Sequence, residues 1–443
     1  MRKLFLLLIF VFFLSSCGSL IFTEEKNSTQ NSAVNSRKNN VSKEELILIK
    51  TPEDLGKIDR AKASVEKFGA AGDGVTDDTE AVIRAMGECE TPVFFPEGKY
   101  LITKTLDIPY SNSGIFGEKD KDGKSLVTIC VDEDIDVLKA EKRGNIVLDS
   151  FFIKKKWINN SPKEGILIRT CTDVYINNVE ISGFSARRGI AIEYSESFNI
   201  TNNFVHDFSA SAADTIKGGG LVDSYAIAVA NSKKGNIQGN RINNIEIKEP
   251  LLSKRFYQSD GININGCEGI LIEKNNISNV GEGIDVIGSK NITVNENYFE
   301  NTFHCGIKLI HGTRDCTFTG NTIKNATMSG FDISAGSISS MEGGKTVNNT
   351  IKNNTIINVG AINPWQDRTW YCAGILLSGN PEKDGEKYNE CTQNIIENNT
   401  ITDDQPIPTT RFGIFEREVA KGNIIKDNNI SPAVGVDIII NEE

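Results

Sequence analysis

Residues 272–277 read Ile-Glu-Lys-Asn-Asn-Ile, and this cassette returns through the second half of the chain. It is Ile-Thr-Asn-Asn-Phe-Val ending at Val205, Ile-Lys-Asn-Asn-Thr-Ile ending at Ile356 and Ile-Glu-Asn-Asn-Thr-Ile ending at Ile401. A last copy, Ile-Lys-Asp-Asn-Asn-Ile, ends at Ile430. Aligned on the bracketing apolar pair, one column holds Asn203, Asn240, Asn275, Asn297, Asn321, Asn354, Asn399 and Asn428. The shortest steps are 22 and 24 residues, the size of one solenoid coil, and the longer ones read as coils carrying loops. Asn accepts the left-handed backbone of a tight corner and can bond a stacked copy of itself. The flanking β-branched residues suit short strands whose alternate side chains point inward. Leucine-rich and helical repeats need Leu or Ala at helical spacing, which is absent. The pattern predicts an all-β fold, one right-handed parallel β-helix.

The first residues stand apart. Arg2 and Lys3 precede an apolar run, Leu4 to Leu14, too short to span a bilayer. Then comes Leu14-Ser15-Ser16-Cys17, which resembles the bacterial lipobox. The resemblance implies a signal peptide over residues 1–16 and lipidation at Cys17, hence a cell-envelope protein held to a membrane only by its lipid. Residues 17–59 are rich in Asn, Ser, Lys and Glu and read as a flexible tether. Residues 60–443 are ample for one solenoid domain.

With 48 Lys and Arg against 59 Asp and Glu, the net charge is −11. That balance argues against a nucleic-acid partner, and an acidic substrate would need a local basic patch. Of the cysteines after Cys17, Cys171 and Cys267 share a repeat column with Ser289, which suits inert buried thiols. Cys372 with Cys391 is a candidate disulfide. No Cys/His spacing resembles a zinc site, so no metal centre is expected. No cofactor is called for; calcium is compatible with the fold, though nothing in the sequence indicates it.

Residues 65–86 read Val-Glu-Lys-Phe-Gly-Ala-Ala-Gly-Asp-Gly-Val-Thr-Asp-Asp-Thr-Glu-Ala-Val-Ile-Arg-Ala-Met. Val93-Phe94-Phe95-Pro96-Glu97-Gly98-Lys99-Tyr100 and Gly114-Ile115-Phe116-Gly117 follow. Together they resemble the opening of the pectate lyase superfamily, which includes polygalacturonase-like enzymes and phage tailspikes. Gly69, Gly72 and Gly74 permit a tight turn. Thr76 or Asp77 can cap a short helix carrying Ala81, Val82, Ala85 and Met86 on one face, and that helix would plug the open end of the core. The Gly-Asp-Gly step reads as a structural turn.

Each coil's first strand opens with an X-Gly-Ile step, where X is Glu164, Arg188, Asp260, Glu282, Cys305 or Ser329, and Tyr225 enters through Tyr-Ala-Ile. One residue past the Ile, an outward column holds Asn263, Asp285, Lys308 and Asp332. Coils stack at about 4.8 Å, so Asp260, Glu282, Asp285, His304 and Lys308 are expected on one patch. Crowded carboxylates raise one carboxyl pKa and leave a proton donor, as acid/base chemistry on a sugar requires. The plainer alternative is an exposed charge ladder that keeps the strands soluble. His206 and His311 read as structural.

Residues 259–311 resemble the active-site coils of the polygalacturonase family. Ser259-Asp260-Gly261-Ile262-Asn263-Ile264 is similar to its Asn-Thr-Asp-Gly segment, which implies a catalytic role for Asp260. Gly281-Glu282-Gly283-Ile284 occupies the place of its Gly-Asp-Asp segment with one acid instead of two, and His304-Cys305-Gly306 answers its His-Gly segment one residue out of place. Its Arg-X-Lys segment has no clear match, although Lys308 and Arg314 are close by. Long loops before the first strands carry Tyr257, Trp365 and Trp370, aromatic rings suited to stacking on sugars.

The expected partner is a polysaccharide. As a glycosidase the protein would use Asp260 with Glu282, inverting if those carboxyls lie about 6.5–9.5 Å apart and retaining at about 5 Å. As a uronate lyase or C5-epimerase, Lys308, Tyr225 or His304 would move the C5 proton and Arg188 or Arg314 would neutralise the carboxylate. A non-catalytic glycan-binding solenoid is the third reading. Asn263, Asp285 and Asp332 complete the candidate substrate contacts.

Overall fold

A coil such as residues 262–278 makes three strands, Ile262–Asn265, Glu268–Glu273 and Asn276–Ser278. Each pairs in parallel with its counterpart one coil away. Repetition stacks them into three long sheets, here the first, second and third in the order the chain visits them. Among the described residues they hold 12, 12 and 13 strands. The computed structural model describes residues 51–156, 163–184, 187–210, 224–247, 259–336, 344–361, 369–379, 390–417, 420–431 and 434–440.

The Asn column forms one continuous ladder. Asn203, Asn240, Asn275, Asn297, Asn321 and Asn354 each donate from both backbone N and Nδ2 to Oδ1 of the next, at 2.9–3.0 Å, and Asn399 donates likewise to Asn428 at 3.0 Å. Nδ2 also reaches a backbone carbonyl of the preceding coil, as in Asn240 to Ile200 O at 2.9 Å. These amides therefore face inward at the corner between the second and third sheets, and most are buried. They do not supply the left-handed backbone. The residue before each one does, including Asn202, Lys274, Glu296, Asn353, Asn398 and Asp427 with φ of 52–56°. A side chain that must lie in the core to bond its neighbours leaves the strained corner to the solvent-side residue ahead of it.

Inside, Ile277, Phe299, Ile323, Ile356 and Ile401 stack in register on the third sheet with no exposed surface. The glycine of the X-Gly-Ile step is held by the same stacking. A Cβ on Gly261 would lie 2.7 Å from the carbonyl oxygen of Gly283 and 2.6 Å from Ile277 Cγ2, so only glycine fits between the coils. Buried free thiols occupy the corner column between the first and second sheets. The backbone N of Cys171 donates to Ser195 Oγ and that of Cys267 to Ser289 Oγ, both at 3.0 Å. Cys372 and Cys391 are also buried and free, so the disulfide considered between them is not formed.

At the head, the helix Thr79–Glu88 turns Ala81, Val82, Ala85 and Met86 onto the end of the core. Its N-cap is Asp78, one residue later than expected, and the Asp78 carboxylate turns back to accept from Ala71 N at 2.6 Å and Gly72 N at 3.2 Å. Asp77 instead accepts the first helical N–H, from Thr79, at 3.0 Å. Asp73 closes the Gly-Asp-Gly turn on Val75 N and Thr76 N, which leaves that step structural. The 3-10 helix Pro52–Lys57 packs Leu55, with Ile58 just beyond, into a small cluster with Phe94, Phe116 and Val147. The chain is thus folded several residues ahead of the tether boundary read from composition.

Candidate functional site

The X column and the outward column are neighbours on the first sheet, and the backbone keeps both in step. Gly261 N donates to Glu282 O and Gly283 N to Cys305 O, which stacks Asp260, Glu282 and Cys305. Asn263, Asp285, Lys308 and Asp332 pair in strict register on successive coils. At this face the two columns meet. Asn263 Nδ2 donates to Asp260 Oδ2 at 3.0 Å. Lys308 Nζ lies 3.0 Å from Asp285 Oδ2 and 3.4 Å from Glu282 Oε1, and His304 Nδ1 is 3.1 Å from the same Glu282 oxygen. The structure therefore brings Asp260, Asn263, Glu282, Asp285, His304 and Lys308 into one cluster.

The cluster is buried. Asp260 and Asp285 are 0 % exposed, Glu282 4 %, Asp332 6 % and His304 7 %, which also excludes the exposed charge ladder. In so dry a place protonation follows the local partners. Burial, reinforced by Glu282 and Asp285, drives the Asp260 pKa well above the usual carboxylate range. Glu282 bears the same burial, but His304 and Lys308 outweigh it and hold Glu282 ionised. Asp285 is pushed up to about 6 by burial, against the pull of Lys308. Burial disfavours the Lys308 cation, yet Asp285, Glu282 and Asp260 overcome that and keep it charged.

Asp260 and Glu282 each shift the other's protonation. Asn263 takes one oxygen of Asp260, while His304 and Lys308 take one of Glu282. Asp260 Oδ1 and Glu282 Oε2 have no hydrogen-bond partner among the described residues. The two are an electrostatically coupled carboxyl dyad. Two further buried atoms, Asp285 Oδ1 and His304 Nε2, have no hydrogen-bond partner among the described residues.

Other expected contacts lie elsewhere. Arg188 is engaged by carboxylates of its own sheet, with Nη2 2.7 Å from Glu164 Oε1 and Nη1 2.8 Å from Glu193 Oε1. Tyr225 stands in register next to Arg188, between it and the coil of Asp260. Arg314 sits exposed at the corner between the first and second sheets, where its Nη1 donates to Gly312 O at 3.2 Å. Asp332 lies beside Lys308 in register and accepts from Ser334 Oγ. Trp370 is half-buried with the Arg417 guanidinium 4.7 Å from its ring centre. Arg417 also acts on Asp332 electrostatically, and no motif marked it. Tyr257, Trp365 and Cys17 fall outside the described residues. His206 is bound on both ring nitrogens, by Glu180 at 3.0 Å and Asp207 at 2.8 Å, as a structural histidine would be.

Comparison with known proteins follows the architecture. The model of the right handed beta helix region matches residues 146–323 and, overlapping, 224–383, together more than half of the chain. The model described as rhamnogalacturonase A/epimerase, pectate lyase-like, matches residues 63–129, the capped head. The preneck appendage protein of Bacillus phage PZA is 30% identical over an alignment of 130 residues that covers 26% of this chain. The match spans only 15% of that protein's length. Among solved structures, the A-module of a mannuronan C-5 epimerase from Azotobacter vinelandii superposes with a TM-score of 0.53 at 17% identity, covering 85% of this chain and 97% of the module. The surface protein and adhesin PfbA of Streptococcus pneumoniae gives 0.51 at 15% identity, covering 85% and 99%. At such identities these two share the fold alone. The coils, their register and the matched family model lead to one statement: this chain belongs to the right-handed parallel β-helix family.

Proposed function

We propose that the protein is a surface-exposed glycosidase that cleaves a polysaccharide at the first-sheet cluster, with Asp260 as its proton donor. The observation that carries this reading is the dyad: a carboxyl kept protonated by burial beside a carboxylate kept ionised by His304 and Lys308. Buried ionic clusters add little net stability and perturbed carboxyls gather at functional sites, so the arrangement favours chemistry over scaffolding. In the proposed step a water oxygen bonds to the anomeric carbon as the glycosidic C–O bond breaks. Asp260 gives its proton to the departing oxygen, and Asp285, through its unpartnered Oδ1, takes the proton of the water. Lys308 is held too firmly cationic to serve as the base of a lyase or epimerase.

The phage appendage and the pneumococcal surface adhesin are the relatives that support an extracellular or surface position. For this chain the position rests on the leader and on lipidation at Cys17, with residues 17 to about 50 as the tether. One observation favours a second reading, a non-catalytic glycan binder: the near-complete burial of Asp260 and Asp285. The test is to incubate the purified protein with a panel of neutral and acidic polysaccharides. New reducing ends without ultraviolet-absorbing product support hydrolysis. Unsaturated uronate absorbance would replace it with a lyase, and retention of a glycan with neither product would leave the binder.

A further inference from the structure

A cavity of about 320 Å³ opens at the corner between the third and first sheets, one residue from the dyad. Its wall includes Asn244, Asn279, Asn301 and Asn325, from four successive coils, with Ser259 and Phe303. Ser259 directly precedes Asp260, and Phe303 directly precedes His304, with those two rings 4.8 Å apart. The volume falls at the low end of the roughly 300–1,000 Å³ typical of small-ligand pockets.

The chemistry of the wall is specific. All four Asn have left-handed backbone, with φ of 55–57°, so the corner turns their amides outward. Three of them form a second, outer ladder: Asn325 Nδ2 donates to Asn301 Oδ1 at 3.1 Å, Asn301 to Asn279 at 3.4 Å and Asn279 to Asn243 at 2.9 Å, while Asn244 donates to Asp207 Oδ1 at 2.9 Å. An amide carries two protons and two lone pairs, so the ladder leaves Asn279 and Asn301 each with one donor and one acceptor to offer, about 4.8 Å apart along the stack. The half-buried Phe303 ring adds an apolar face. Among the described residues of the wall, the charged one is Glu246, and none is a cation that would pair with a uronate.

We propose that this corner is a binding subsite for an uncharged, hydroxyl-rich sugar ring, which fixes the glycan while the next linkage reaches Asp260. The inference rests on the polysaccharide reading above and narrows it to a chain with neutral residues beside the cleavage point. Calorimetry and turnover with gluco-, xylo- and manno-hexasaccharides and with a galacturonic acid hexasaccharide test it, on the full-length protein and on Phe303→Ala, Phe303→Tyr and Asn279→Ala. The expected result is that the wild type binds one or more neutral hexasaccharides more tightly than the acidic one. Phe303→Ala should then weaken binding and raise KM about tenfold with kcat within about twofold, Phe303→Tyr should retain binding, and the melting temperature should not move. Tighter binding of the galacturonate chain, no binding of any neutral hexasaccharide, or an unchanged KM in Phe303→Ala would overturn the subsite. Wild-type cleavage with Phe303→Ala unaffected would sink the subsite and leave the glycosidase reading standing. Neutral-sugar binding lost in Phe303→Ala, without cleavage of any substrate, would do the reverse.

Discussion

Asp260 keeps its proton because two effects point the same way: its carboxyl is fully buried, and an ionised Glu282 stands against it. Asp285 differs, since Lys308 at 3.0 Å offsets part of the burial and leaves it titrating at about 6. A base must be ionised and an acid protonated, so the signs fix a pH profile. Below about 6 Asp285 is protonated and turnover falls roughly tenfold per unit; above 6 turnover is level until Asp260 loses its proton. Asp285→Asn should remove the acidic limb together with most of the activity, and kcat/KM measured from pH 4 to 9 checks both. His206 carries a separate sign. Burial would lower its pKa, but Glu180 and Asp207 overcome that and raise it. A raised His pKa contributes stability that is fully present below about 6.5, the unfolded value, and is lost as pH climbs through the higher folded value. Melting temperatures of wild type and His206→Gln should therefore differ at pH 6 and converge above that folded value.

The strands are two to seven residues long and cannot stand alone, so each element depends on the columns that tie it to its neighbours. The inner Asn ladder is one such tie. Asn297→Ala would leave the backbone N and Nδ2 of Asn275 without their shared acceptor inside the core, at a cost of about 2–4 kcal/mol. Asn301→Ala, in the exposed outer ladder, should cost under about 1 kcal/mol; denaturant unfolding of the two variants compares them. The glycine column is a harder constraint. A Cβ on Gly283 would run into the Gly306 carbonyl and the Phe299 ring, so Gly283→Ala should lose more stability than either Asn variant or fail to fold. These columns were legible because a repeated offset reports a repeated environment: the eight Asn and the Ile277 row could be aligned before any coordinates. The identity of the left-handed residue was not legible. Asn suits both an inner amide ladder and a corner, and adjacent Asn pairs such as Asn353-Asn354 do not say which one turns.

At the scale of the molecule the fold is a sum of near-identical neighbours, closed at one end by the helix Thr79–Glu88. Met86→Ala in that plug should cost about 2–5 kcal/mol, since the side chain is 1 % exposed and has little room to collapse. Cys17→Ala should release the protein from membranes, because residues 23–50 offer no comparable apolar anchor; fractionation of cells carrying each form reads this directly. Which face would hold the candidate site was readable from the X-Gly-Ile offset, since a β period of two decides inside from outside. What that offset could not reveal was contact through space. Arg188 is taken by Glu164 and Glu193, Arg417 reaches toward Asp332 from two coils away, and Phe303 lines a cavity made by four coils. Nor could it reveal that Asp260 and Glu282 are buried together, because that depends on the packing around them. Glycan cleavage is assigned to this carboxyl dyad. The most direct measurement is the initial rate of reducing-end release by wild type, Asp260→Asn and Glu282→Gln on whichever polysaccharide the wild type cleaves, with melting temperatures taken alongside. Each variant should fall by at least ~100-fold with the fold intact; wild-type rates in both folded variants would mean that the dyad does not drive cleavage.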